Sequence, residues 1–183
     1  MSGGRARAVA IQTLLAGSLL AGTTMTDAAG PTNGDVRERP GALVAGWIEN
    51  ASIPGTPLHF RAKLDTGADN SSIGADAISV FERDGHGRVR FTLTDDDGNR
   101  IELERPVLRR ARIKRSGHSG DERIVVELPV CIGARSATVA VSLADRKGLK
   151  YRMLIGRNLL EPLNLLVDSA RRYRLTDNTC PPG

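Results

Sequence analysis

The sequence predicts an all-β domain, a closed barrel or sandwich with only one or two short helices. Three observations lead there. Short runs rich in Val, Ile, Leu and Thr carry apolar residues at every second position, the mark of a strand with one buried face. Turn clusters such as "ASIPGT", "DDGN" and "SGHSGDE" separate these runs at short intervals. Only scraps of helical pattern interrupt them, and many short strands at close spacing describe a closed or two-layered β architecture.

The elements follow in order. "ALVAGWIEN" (Ala42–Asn50) and "PLHFRAKLD" (Pro57–Asp65) flank a turn-rich loop and predict a hairpin. In the second run Leu58, Phe60, Ala62 and Leu64 alternate with His59, Arg61 and Lys63, so a half-buried strand delivers Asp65 at its end. "GADAISVFER" (Gly74–Arg83) predicts a short helix stopped by "DGHG". "RVRFTLTD" and "RIELERPVL" predict one hairpin, and "RRARIKR" with "RIVVELPVCIG" another. "SATVAVSL" predicts a strand. "YRMLIGRNLLEPL" predicts a strand running through Gly156 into a short helix, and "NLLVDSARRYRL" a final strand.

At 183 residues the chain suits one domain with a core of its own. Its hydrophobic content of 40% and charged content of 26% exclude a disordered chain, and 3% aromatics leave the core to aliphatic residues. The net charge of +5 suits an acidic partner. No nucleic-acid-binding signature accompanies it, so nucleic acid is not expected as a partner.

Residues 1–28 pair Arg5 and Arg7 with an apolar run and then small residues, the layout of a signal peptide or, if uncleaved, an anchor. The run is too short for a stable membrane span. The expected location is therefore periplasmic or secreted, with tethering if the leader stays. Residues 29–40 read as a flexible linker, 41–176 as the domain and 177–183 as a tail. An oxidising compartment would allow Cys131 and Cys180 to pair, or leave one buried and the other a free tail thiol.

The sequence excludes several chemistries. The three histidines lack metal-ligand spacing, so no metal and no cofactor is expected. "TDDDGN" does not fall into calcium-loop register. "GHSGD" lacks the final glycine of a nucleophile elbow. No Gly-rich phosphate loop ending in Lys is present. Two segments remain: "LDTGA" (Leu64–Ala68) after a strand, and "MLIGRNLL" (Met153–Leu160) entering a helix.

In this order, the two segments resemble the retropepsin-like aspartic protease family. With "ERIVVELPVCIG" and "LVDSARRYRL" they look closest to its bacterial branch, often labelled "ATP-dependent zinc protease", although nothing in the sequence supports ATP or zinc. The resemblance extends from about Leu43 to Leu175. It implies a closed retropepsin-like barrel and an aspartic endopeptidase acting on peptide or protein substrates. Asp65 would be the catalytic carboxylate. Thr66 would lock two loops together through its hydroxyl, and Gly67 would let backbone approach the carboxylate. Asp69 and Arg157 fall at the positions of a buried ion pair, and Ala68, Gly156 and Asn158 complete the loop and the segment behind it. The hairpin around "KRSGHSGDER" stands where the family has its flap, though its charges depart from a glycine-rich apolar one.

Peptide hydrolysis by aspartate needs two facing carboxylates. The chain has one D-T-G, and Asp168 in "VDSA" lacks the glycine. A homodimer with two copies of Asp65 at its axis is therefore expected. Two other readings are a non-catalytic binding or regulatory module on this fold, and a basic surface protein for anionic polymers.

Overall fold

The computed structural model describes residues 40–115, 118–176 and 180. The predicted leader, the linker up to residue 39, the tip of the predicted flap and most of the tail lie outside the described residues.

The described residues form eleven strands and one short helix. Six strands close into a barrel: β2 (Ile48–Ser52), β3 (His59–Leu64), β4 (Ser71–Arg83), β8 (His118–Ile132), β9 (Arg135–Ala144) and β10 (Met153–Ile155). The ring runs β10–β3–β2–β8–β9–β4 and returns to β10. Short β10 closes it, lying parallel to β3 with Met153 opposite Ala62, and antiparallel to β4 with Met153 opposite Ile73. Closure gives the three-residue β10 a partner on both sides, so the ring of six has no free strand of its own.

Two additions extend the barrel. β5 (His86–Thr94) and β6 (Arg100–Pro106) continue antiparallel from β4, and β7 (Arg109–Arg115) pairs with β8. Separately, β1 (Leu43–Gly46) and β11 (Leu165–Asp168) form a parallel two-stranded sheet. Helix α1 (Arg157–Leu160) follows β10 directly. The core is mostly aliphatic, around Phe60 and Phe91. In β3, Phe60, Ala62 and Leu64 are buried and His59 and Arg61 exposed, the alternation the sequence predicts.

Three expectations are corrected. Gly74–Arg83 is no helix but the greater part of β4. Its local helical preference yields to pairing with β5, β9 and β10, and the strand bends where Ala77 takes φ 49 and the register shifts between Asp76 and Ser79. "DGHG" is accordingly a hairpin turn, with Asp84 at φ 54 and Gly85 at φ 73, the two positive angles a tight hairpin needs. The run Ala42–Asn50 breaks at Trp47 into β1 and β2, which serve different sheets.

The third correction is at the C-terminal side. Only Leu165–Asp168 is strand, and Arg171–Leu175 continues as a strap across the start of β2. Trp47 donates to the Arg171 carbonyl at 2.9 Å, and Tyr173 to the Ile48 carbonyl at 2.8 Å. The Glu49 carboxylate, fully buried, accepts from the backbone N–H groups of Gly46 at 2.6 Å and Arg174 at 2.8 Å. A disulfide joins Cys131, at the end of β8, to Cys180. No helix among the described residues is long and apolar enough to cross a membrane.

Candidate active site

Asp65 sits one residue beyond β3, where the chain leaves the barrel wall. Its N–H donates to the Ile155 carbonyl at 2.8 Å, so β10 sets the carboxylate's position. The loop then turns sharply, the Ala68 N–H reaching the Asp65 carbonyl at 3.2 Å. Both carboxylate oxygens are held: Gly67 N–H donates to Oδ1 at 3.1 Å, and Lys63 Nζ to Oδ2 at 3.2 Å. The side chain is 29% exposed. Partial burial alone would push the carboxyl up. The Lys63 hydrogen bond and charge, with the Gly67 and Ala68 N–H groups, outweigh it and hold the group below its ordinary value.

The segment behind the loop is bonded to it residue by residue. Arg157 N–H donates to the Ala68 carbonyl at 2.8 Å, and Asn158 N–H to the Asp69 carbonyl at 3.2 Å. The Arg157 guanidinium donates to the Thr66 carbonyl at 2.8 Å and pairs with the Asp69 carboxylate. Asn158 accepts from the Ser71 N–H at 2.9 Å and hydroxyl at 2.8 Å, and donates to the Ala140 carbonyl at 2.8 Å. Gly156 is required by space. A Cβ there would stand 2.6 Å from the Asn70 carbonyl carbon and 2.9 Å from the Ala68 oxygen, both backbone atoms.

Every predicted site residue therefore belongs to one hydrogen-bonded assembly of loop and helix start. One expectation is corrected: the Asp69–Arg157 pair is not buried. The side chains are 75% and 45% exposed, because the loop lies at the barrel end and no described residue covers it. Such a pair is worth about 0–1 kcal/mol rather than several. Thr66 is exposed as well, at the turn of the loop.

Sequence reasoning missed Ser71. It is fully buried, its hydroxyl donating to Asn158 and accepting from Gly156 N–H at 3.0 Å. The available signal was a small hydroxyl residue heading an apolar strand just after the loop. Asp168, the alternative second acid, ends β11 in the separate two-stranded sheet, opposite Gly46. It accepts from Ala170 N–H at 2.9 Å and pairs with Arg174 at 3.0 Å and Arg171 at 3.8 Å. The Ala170 N–H foremost, then these arginines, hold its carboxyl below the ordinary value against partial desolvation.

Two further arginines bond to residues at or just after the loop. Arg109, at the start of β7, donates to Asn70 Oδ1 at 3.3 Å. Half-buried Arg146 donates to Ser72 Oγ at 3.1 Å and to the Tyr151 carbonyl at 3.0 Å. Burial, and then the nearby Arg123 charge, lower its pKa from the ordinary value. A cleft of about 590 Å³ lies elsewhere, lined by His59, Arg61, Asp96 and the disulfide, and includes none of the site residues.

A family model described as "RimB-like: Retropepsin-like aspartic endopeptidase RimB" matches residues 44–177. Curated proteins named "Probable alpha-L-glutamate ligase" are also similar. That of Desulfotalea psychrophila is 32% identical over 137 residues, which are 72% of this chain and 29% of that protein. That of Parasynechococcus marenigrum is 30% identical over 139 residues, 74% of this chain and 30% of that protein. The chain thus spans under a third of the curated relatives it matches. A crystal structure of a Legionella pneumophila protein of unknown function aligns with a TM-score of 0.65 at 30% identity, covering 74% of this chain and 99% of that one.

Proposed function

The chain belongs to the RimB-like family of retropepsin-like aspartic endopeptidases, and from that premise we propose that it hydrolyses peptide bonds through two copies of Asp65 brought together in a homodimer. The observation that carries this reading is the Asp65 loop itself. A carboxylate stands at a strand end, both oxygens oriented, in a loop bonded along its length to the segment behind it.

In a symmetric pair the two carboxylates share one proton, because like charges so close do not both ionise. The ionised one takes a proton from water as the oxygen attacks the carbonyl carbon. The protonated one donates to the carbonyl oxygen. Collapse of the tetrahedral intermediate breaks the C–N bond as the nitrogen takes up a proton. Exposure of the Asp65 loop in the single chain suits a surface that a second copy covers. Export to the periplasm or beyond accords with the leader-like N-terminal segment.

The substrate class proposed is a peptide rich in glutamate. Lys63, Arg109, Arg146 and Arg157 flank the loop, and the relatives named as glutamate ligases carry a similar domain within longer chains. Those names also favour a second reading, a regulatory module serving a glutamate-adding enzyme.

Mass-spectrometric mapping of cleavage products from glutamate-rich and neutral peptides, with parent protein and Asp65→Asn, separates these. Cleavage lost in the variant and about tenfold greater kcat/KM on the glutamate-rich peptides is expected, a difference of about 1.4 kcal/mol. Cleavage of neutral peptides alone would remove the substrate class. Absence of any cleavage by the parent would favour the regulatory module.

A further inference from the structure

We propose that Lys63 is a positioning residue for Asp65: its ammonium grips carboxylate oxygen Oδ2 and supplies the positive charge that lets two Asp65 side chains face one another. The inference rests on the dyad reading above.

Strand geometry puts the two groups together. Residues two apart in a strand project from the same face, so β3 presents His59, Arg61 and Lys63 on its outer face, with Asp65 next in the series just past its end. Lys63 Nζ lies 3.2 Å from Oδ2, while Gly67 N–H occupies Oδ1 at 3.1 Å. With its two oxygens held by different partners, the carboxylate cannot rotate about its last bond without breaking one contact. The ammonium therefore sets orientation as well as charge.

Among the described residues, several other charged groups near this end of the barrel have partners of their own, with Arg123 close to Arg146. Arg61 pairs with Asp96 at 3.4 Å. Arg157, on α1, holds Asp69 and the Thr66 carbonyl. Arg109, on β7, reaches Asn70, and Arg146, after β9, reaches Ser72 and Tyr151. On β2, Glu49 accepts backbone N–H groups of Gly46 and the C-terminal strap. On β11, Asp168 is bound by Arg171 and Arg174.

In the dimer two Asp65 carboxylates would meet with two Lys63 ammonium groups beside them. Opposite charge within a few ångströms favours the ionised carboxylate, whereas a second carboxylate disfavours it. Lys63 thereby offsets the repulsion that bringing the loops together creates. It also lowers the pH at which the dyad first ionises. With its side chain 43% exposed, Lys63 can be replaced without disturbing the core.

The test compares the parent, Lys63→Met and Lys63→Arg by two readouts. The first is the pH profile of kcat/KM. Lys63→Met should move both limbs to higher pH, with activity on the acid limb about threefold or more below the parent's at equal pH, and Lys63→Arg should restore the profile. The second is carboxyl carbon NMR of Asp65 at concentrations where the chain is monomeric, which needs no catalysis. Its titration midpoint should rise in Lys63→Met. An unmoved midpoint, or a profile that falls uniformly without shifting, would overturn the role of Lys63 while leaving the dyad standing. An active Asp65→Asn protein would instead remove the dyad reading, and the NMR readout would still decide whether Lys63 governs Asp65.

Discussion

Asp65→Asn is expected to abolish peptide hydrolysis, by about 10³-fold or more, in a protein that folds and melts as its parent does. The two halves of this expectation have separate causes. Asparagine keeps an oxygen for the Gly67 N–H and the same volume, so the loop retains its turn. The Lys63 contact it loses is partly exposed and worth about 1 kcal/mol or less. Neither amide of a paired variant can take a proton from water, so the general base disappears. A thermal melt and the cleavage assay on one preparation check both halves. Undiminished cleavage by a folded variant would end the aspartic-protease reading.

Gly156→Ala is expected to cost about 3 kcal/mol of stability and to reduce activity at least about 100-fold. The new Cβ would stand 2.6 Å from the Asn70 carbonyl carbon, 2.8 Å from its oxygen and 2.9 Å from the Ala68 oxygen. These are backbone atoms of the loop that carries Asp65, so no side chain can rotate away. The loop itself must move, and it drags the carboxylate from its place. Gly148→Ala is the control, because its Cβ would meet nothing within 4 Å. Denaturant unfolding of both variants, beside their rates, separates a displaced loop from a generally weakened fold. Equal stability and activity of the two variants would show that the contact of Gly156 with the loop carries no weight.

The parts of this fold that were legible in the sequence are those set by local pattern. The alternation through β3 places Asp65 at a strand end, and the two motif segments point to the loop and its backing. What was not legible depends on distant partners. Glu49, a charged residue in a short strand, is buried, with its carboxylate accepting from the N–H of Arg174, 125 positions away. Gly74–Arg83 carries alanines and a short apolar pattern compatible with a helix turn. Three neighbouring strands decide it otherwise. Ser71 is an ordinary serine until Asn158 and Gly156 converge on its hydroxyl. The exposure of Asp69 and Arg157 could not be read from spacing, since the motif fixes which residues meet but not what covers them.

The central claim, that two chains each contribute one Asp65, is tested most directly by mixing. Parent and Asp65→Asn protein are combined at constant total concentration, allowed to exchange subunits, and assayed across the whole range of composition. If only dimers with two ionisable aspartates work, activity follows the square of the parent fraction, and an equal mixture retains about a quarter. A strictly proportional fall, with about half the activity at equal mixture, would show that each chain works alone and would contradict the shared dyad.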